Sequence, residues 1–301
     1  MHADRILVTG ATGFLGRAVA AHLVAGGRNV CAASRRLPDE ASPGVDAIAL
    51  GNLSADTDWS AALVGIGTVV HCAARAHVLK ETSADPLARF RAVNTAASLS
   101  LARQAAAAGV RRFVFISSIG VNGAETRGRP FRHDDVPRPH SPYAISKHEA
   151  ELGLATVAAK TGLEVVVIRP PLIIGPDPKG NLATLNRFIA RGLPLPFGLI
   201  KGNRRDLVSR DTLCRLIEAV LDHPAAANQT FLVSDGSAIS TRTLLQRMAA
   251  DQGRSLTLLP VPPALLALPL KLAGRGAMAS QLLGDLEVDI AHTRQTLDWA
   301  P

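Results

Sequence analysis

Tyr143 is the single tyrosine of the chain. It stands four residues before Lys147, in Tyr143-Ala144-Ile145-Ser146-Lys147. On a helix, residues four apart share a face, so this spacing brings a phenol beside an ammonium. The pair suits acid–base work. A free phenol has a pKa near 10, too high to trade protons readily at neutral pH. A nearby cation stabilises the phenolate and lowers that value. Ser118 closes an expected strand upstream, where its hydroxyl can hydrogen-bond a substrate carbonyl or alcohol. The Tyr-x-x-x-Lys spacing also occurs on ordinary surface helices, so its weight comes from the elements around it.

The first of those elements is a glycine turn, Gly10-Ala11-Thr12-Gly13-Phe14-Leu15-Gly16, directly after an apolar run. Gly10 allows a tight turn, Gly13 lets backbone approach a pyrophosphate, and Gly16 lets a helix pack close to a sheet. Phosphates then sit on the free amides of the helix N-terminus, where the dipole favours anions. The spacing is GxxGxxG, and its place between strand and helix makes it informative. A site for NAD usually places a carboxylate at the end of the second strand to hold the ribose 2′-hydroxyl. Here that place reads Ser34-Arg35-Arg36. A guanidinium fork suits a 2′-phosphate, so NADP(H) is the preferred cofactor and NAD(H) the other. The alternative is a pair of solvated arginines.

These residues need a parallel sheet to hold them. Apolar runs at Arg5–Thr9, Asn29–Ser34, Ala47–Leu50, Thr68–Cys72, Phe113–Ser117 and Glu164–Arg169 read as strands. Helical stretches at Phe14–Gly26, Trp59–Val64, Pro86–Gly109 and Pro142–Thr161 lie between them. Such alternation predicts an α/β doubly wound parallel sheet, a Rossmann fold, over residues 1–169. After Pro170-Pro171 the texture changes to a smaller mixed α/β domain over 170–301, with a stretch around 205–222 packing back on the first. Its elements are helices at Leu182–Arg191, Asp211–Asp222 and Thr241–Gly253 and a strand at Thr230–Ser234. The apolar stretch Leu256–Ala273 is broken by Pro260, Pro262, Pro263 and Pro269, which predicts packing rather than membrane contact.

Composition narrows the partners. With 301 residues and 47% hydrophobic content the chain can bury a large core. Lys and Arg number 33 against 25 Asp and Glu, a net charge of +8. The bases are scattered, and two Trp beside one Tyr leave too few rings for a base-stacking platform. Small phosphorylated ligands are therefore expected, not nucleic acid. No uncharged apolar stretch is long enough to span a bilayer. Three unpatterned cysteines and a strand within ten residues of Met1 predict a cytoplasmic protein without a signal peptide or zinc site.

The chain resembles the extended short-chain dehydrogenase/reductases, the sugar-nucleotide epimerase, dehydratase and reductase group. The resemblance runs over essentially the whole chain. It rests on Gly10–Gly16, His71-Cys72-Ala73-Ala74-Arg75, Val93-Asn94-Thr95, Ser117-Ser118, Tyr143, Lys147, Arg169–Pro176 and the closing Leu297-Asp298-Trp299-Ala300-Pro301. It implies Ser118, Tyr143 and Lys147 as the catalytic set. Beyond the glycine turn with Thr12, Phe14 and Leu15, it implies cofactor contacts from Ser34, Arg35, Arg36, Asn52, Leu53, Cys72, Ala73, Ala74, Arg75, Asn94, Ser117, Pro170 and Ile173. Asn181, Leu182, Pro196 and Arg205 fall where relatives hold uridine diphosphate, and a homodimer through the two long helices is implied. Three positions depart from the pattern: Asn52 for an adenine-contacting Asp, Asn122 for a tyrosine, and Leu172 for a substrate-binding Asn of several 4-epimerases.

The expected function is NADPH-dependent reduction of the C4 ketone of a UDP-linked 4-keto-6-deoxy-N-acetylhexosamine, for surface polysaccharide. The run from His71 to Glu81 and Val233-Ser234-Asp235-Gly236 are similar to such reductases. Two alternatives stand beside it: a UDP-hexose 4-epimerase with bound NAD, and a non-catalytic dinucleotide sensor. His77 and Lys80 are candidates for a loop facing substrate or solvent, and His71 for a structural histidine.

Overall fold

The computed structural model describes residues 5–37, 45–76, 85–272, 280 and 282–301; His77 and Lys80 lie outside them. Near-continuous apolar runs form buried strands, as a sheet covered on both faces requires, with the edge strand Val45–Ala49 left largely exposed. These are β1 (Arg5–Thr9), β2 (Val30–Ser34), β3 (Val45–Ala49), β4 (Ile66–His71), β5 (Arg112–Ile116), β6 (Glu164–Arg169) and β9 (Thr230–Leu232). All pair in parallel, in the order β3-β2-β1-β4-β5-β6-β9. The direction in which successive strands are added to the sheet reverses between β1 and β4. In such sheets the crevice beyond the strands' carboxyl ends at that point is where ligands bind.

One face is packed by α1 (Phe14–Ala25) and α7 (Arg210–Asp222), which share a core with Val8, Val70, Val114 and Ile168. The other is packed by α4 (Ala97–Ala107) and α5 (Pro142–Thr161) around Leu7, Val69, Phe113 and Val165. A short α2 (Ser60–Leu63) closes that side. Sequence periodicity predicts one helix over Pro86–Gly109. The structure divides it into α3 (Pro86–Phe90), a π-helical turn Arg91–Ala96, and α4. The wider turn directs Asn94 inward, where it is fully buried.

Beyond β6, the short β7 (Leu172–Ile174) and β8 (Leu207–Ser209) pair in parallel. With α6 (Gly180–Ala190), α8 (Thr241–Asp251) and α9 (Pro263–Leu272) they form a second lobe. Its own core joins Ile189, Leu195, Phe197, Ile200 and Leu245. The strand expected in that lobe at Thr230–Ser234 is instead β9, the edge of the main sheet. Phe231 and Val233 bury there in the main core, where a lone strand in the small lobe would find no neighbour.

Candidate active site

Gly10 has φ +68, and a Cβ there would lie 2.8 Å from the Ala73 backbone, so only glycine fits the turn between β1 and the end of β4. At Gly16 a Cβ would collide with the Gly10 carbonyl, which lets α1 start close under the turn. Gly13 caps α1 without any side-chain bond to the first amides. Those donors are left for an anion, and the turn fits a dinucleotide pyrophosphate. Ser34, Arg35 and Arg36 close β2 at the same edge, with both guanidines exposed and the Ser34 hydroxyl donating to the Arg36 carbonyl at 2.5 Å. The Gly51 amide donates to the Arg35 carbonyl, which brings exposed Asn52 and half-buried Leu53 alongside.

A hydrogen-bonded chain connects this turn to α5 (Pro142–Thr161). Ser98 Oγ donates to the Asn94 carbonyl at 2.8 Å, so its proton is spent and His71 Nε2 must donate to it at 2.9 Å. His71 Nδ1 then accepts from Thr9 Oγ1 at 2.7 Å, and Thr9 Oγ1 accepts the Ala73 amide. The imidazole is neutral, buried, and held well below its ordinary pKa, at about 3, chiefly by desolvation. Asn94 continues the chain. Its Oδ1 accepts the Arg75 amide at 2.8 Å, and its Nδ2 donates to the Arg75 carbonyl and to Ser146 Oγ, both at 3.1 Å. Ser146 Oγ donates to the Tyr143 carbonyl at 2.7 Å. Residues 72–75 are thereby locked to α5.

Burial of His71 sets an acid limit. The unfolded imidazole binds a proton below about pH 6.5, whereas the folded one resists until about 3. The unfolded state binds more protons across that window, so stability falls as pH drops through it. Thermal melting followed from pH 7 to 4 is expected to decline steeply for the wild type. His71→Gln, less stable at pH 7, is expected to show a flatter profile; parallel profiles would refute the assignment.

Ser141 caps α5 by accepting the Ala144 amide, and Pro142 occupies the first turn. Tyr143 is half-buried, with its ring edge-on to Phe90 at 6.0 Å. Burial pushes the phenol up to about 12, the reverse of the lowering expected from Lys147. The reason is geometric. Lys147 Nζ donates to the Ile116 carbonyl at 2.7 Å and lies 4.4 Å from the Phe115 ring centre, at the end of β5. Desolvation brings the ammonium down to about 8. One donor is committed to Ile116, which leaves two of its three hydrogens for a ligand.

Ser118 caps a 3₁₀ turn, Ile119–Val121, its Oγ accepting the Gly120 amide at 3.1 Å. A Cβ at Gly120 would lie 3.3 Å from Ser118 Oγ, 3.4 Å from Ala144 Cβ and 3.4 Å from His140 Cε1. Ser118 and the first turn of α5 therefore meet, and His140, unremarked in the sequence, stands with them.

Ser117 is buried at the end of β5. Its hydroxyl donates to the Glu151 carboxylate. Glu151 also receives Arg169 through Nε at 3.0 Å and Nη2 at 2.6 Å, and Arg169 Nη1 donates to Asn122 Oδ1 at 3.0 Å. A buried carboxylate needs such partners. Glu151 lies one helical turn beyond Lys147, so Tyr143, Lys147 and Glu151 share a face. Periodicity could have pointed to it.

Pro170 is buried, its carbonyl accepting the Ile119 amide at 3.0 Å; Ile173 is half-buried against the main core, while Cys72 and Ala74 are half-buried beside the turn. Of the residues expected on uridine diphosphate, Asn181 and Pro196 are half-buried. Leu182 packs with Leu207, Ile239 and Leu244, so its side chain serves the lobe's core. Arg205 is buried too, with Nη1 donating to the carbonyls of Gly284 at 2.8 Å and Ser280 at 3.3 Å. A guanidinium so enclosed must satisfy its donors internally, and it ties β8 to the segment before Leu286 rather than reaching outward for a phosphate. Among the described residues no His, Cys, Asp and Glu cluster is arranged to hold a metal.

The profile of the NAD dependent epimerase/dehydratase family matches residues 6–234, most of the chain. The chain belongs to this family. It is an enzyme of the NAD-dependent short-chain dehydrogenase/reductase type. It is 43% identical over 297 residues to a UDP-glucose 4-epimerase of Vibrio cholerae, covering 98% of this chain and 90% of that protein. Its fold is similar to that of the UDP-glucose 4-epimerase of Thermotoga maritima solved with UDP-glucose, at TM-score 0.78 and 22% identity over 99% and 93% of the two chains. A UDP-glucuronic acid 4-epimerase from Bacillus cereus in complex with NAD gives 0.76 and 18% over 99% and 93%.

Proposed function

We propose that this enzyme is a UDP-sugar 4-epimerase using bound NAD. What carries the reading is the 43% identity to the Vibrio cholerae enzyme over nearly the whole chain, together with the presence of Ser118, Tyr143 and Lys147. The relation favours epimerisation over the reduction that the sequence ranked first. Bound NAD supplies a hydride acceptor and later a hydride donor. Tyr143 Oη takes the proton of the C4 hydroxyl and returns it when the C4–H bond re-forms on the other face. Ser118 Oγ hydrogen-bonds the C4 oxygen in both the alcohol and ketone states. Lys147 would hold the cofactor ribose with the two hydrogens not given to Ile116, its charge and that of the oxidised nicotinamide favouring the phenolate. At neutral pH an ammonium with a pKa of about 8 is mainly charged, as that role requires.

NADPH-dependent reduction of a UDP-linked 4-keto sugar is the second reading. It is favoured by one observation: two exposed arginines and no carboxylate at the end of β2. Incubation with UDP-glucose separates the two. Appearance of UDP-galactose with no net change in nicotinamide absorbance is expected. Net oxidation of NADPH with a UDP-4-keto sugar, without interconversion of UDP-hexoses, would replace the epimerase with the reductase.

A homodimer through the helical stretch from α3 to α4 and through α5 accompanies this reading. Leu152 on α5 is 58% exposed, and Ala88, Ala92, Ala96 and Leu99 line a shallow groove across the paired helices. Leu152→Arg is expected to halve the mass measured by light scattering. An unchanged mass would place the contact elsewhere.

A further inference from the structure

We propose that the second lobe docks on an anionic lipid surface through the exposed leucines of α9 and of the two paired segments beside it. The sequence of α9, PALLALPLKL, holds no acidic residue. Leu266 turns inward onto the lobe's core. Leu265, Leu268 and Leu272 are 63%, 57% and 80% exposed. Steps of three and four residues put them on one helix face. Pro263 opens the helix and Pro269 lies within it, but they do not turn Leu265, Leu268 and Leu272 inward.

Two further exposed leucines lie on segments that share the lobe's core with the helix. Residues 195–200 run alongside 257–261, through the Leu195–Leu258 bridge and the Gly198 amide on the Leu259 carbonyl. Leu199 and Leu259, one from each segment, are 42% and 43% exposed. Several exposed leucines gathered on one lobe point to a surface that binds something.

Charge says what. From residue 179 to 205 the sequence contains no Asp or Glu, and from 242 to 272 it contains Asp251 alone. Lys179, Arg187, Arg191, Lys201, Arg247 and Arg254 are all exposed. Basic residues flank the leucines in each segment: Arg191 precedes Leu193, Lys201 follows Leu199, and Arg254 leads into Leu259. A second copy would bring the same positive charge against itself. An anionic bilayer complements it, while the leucines enter the interface in the manner of a helix lying in the membrane plane. None of the described helices is long and apolar enough to span a bilayer.

The test is sedimentation of the full chain with vesicles of phosphatidylcholine alone or with about 30% phosphatidylglycerol. Binding to the anionic vesicles and not the neutral ones is expected, with release at about 0.5 M salt. Leu265→Ser/Leu268→Ser/Leu272→Ser is expected to weaken binding at least ~10-fold, with melting and turnover unchanged. As a gain of signal, Leu268→Trp emission is expected to shift to the blue on anionic vesicles and not on neutral ones. Wild type that stays in the supernatant, equal binding to both vesicles, or no blue shift would each overturn the proposal. So would a triple variant that binds like wild type, or one that changes only the oligomeric mass.

Discussion

Tyr143→Phe is expected to lower turnover by ~10²–10⁴-fold, the range for removing a general acid–base. The ring is retained, so its edge contact with Phe90 survives and folding is expected to be intact. Because this is the chain's single tyrosine, no other phenol can substitute, and the ionisation can be read directly. Tyrosinate absorbance reports this one group. Burial places its pKa at about 12 in the free protein; addition of NAD is expected to bring it down, since a positive ring nearby favours the phenolate. Two signs follow for stability in base. The folded phenol keeps its proton from pH 10 to about 12, where the unfolded one releases it, so this group's contribution is lost across that window. Lys147 acts oppositely, since its folded form gives up a proton near 8 and its unfolded form near 10.5; its burial penalty is relieved as pH rises between them. Full turnover by Tyr143→Phe would show that the proton takes another route.

Glu151→Ala is expected to destabilise the fold by about 3–5 kcal/mol, the range for breaking a buried ion pair from one side. The loss is large because Arg169 stays buried with two of its donors unpaired, and Ser117 loses its acceptor. Arg169→Met leaves the mirror-image problem, a buried carboxylate without its cation. The double variant Glu151→Leu/Arg169→Met removes both charges and is expected to recover most of the stability. Chemical denaturation of all three variants forms the cycle. Simple additivity would mean that the two side chains do not depend on each other. Turnover gives a second readout. The pair clamps the end of β5 to α5, on either side of the Lys147–Ile116 bond, so a stable double variant is expected to lose activity through misplacement of Ser118 and Lys147.

Much of the fold was legible because its signals are local. A parallel strand buried on both faces must be apolar throughout, and a turn that approaches another backbone closely must be glycine. Gly10, Gly16, the β2 ending and the Tyr143–Lys147 spacing all belong to this kind. The π-turn at Arg91–Ala96 was not legible, because one extra residue in a turn leaves the helical pattern nearly unchanged. Nor was the fate of polar side chains whose partners lie far away in sequence. Ser117 pairs with Glu151, Arg205 with Gly284, and His71 with Thr9 and Ser98.

The alternation of strands and helices, the glycine cradle and the identity of the phenol were determined by sequence, since each follows from steric or periodic rules acting over a few residues. Tertiary structure decided the rest. It placed β9 in the main sheet, turned Arg205 and Leu182 into the second lobe, and left the leucines of α9 outside. It also reversed the expected shift of Tyr143. A pKa depends on which charges and how much water surround a group, and only the folded chain sets both.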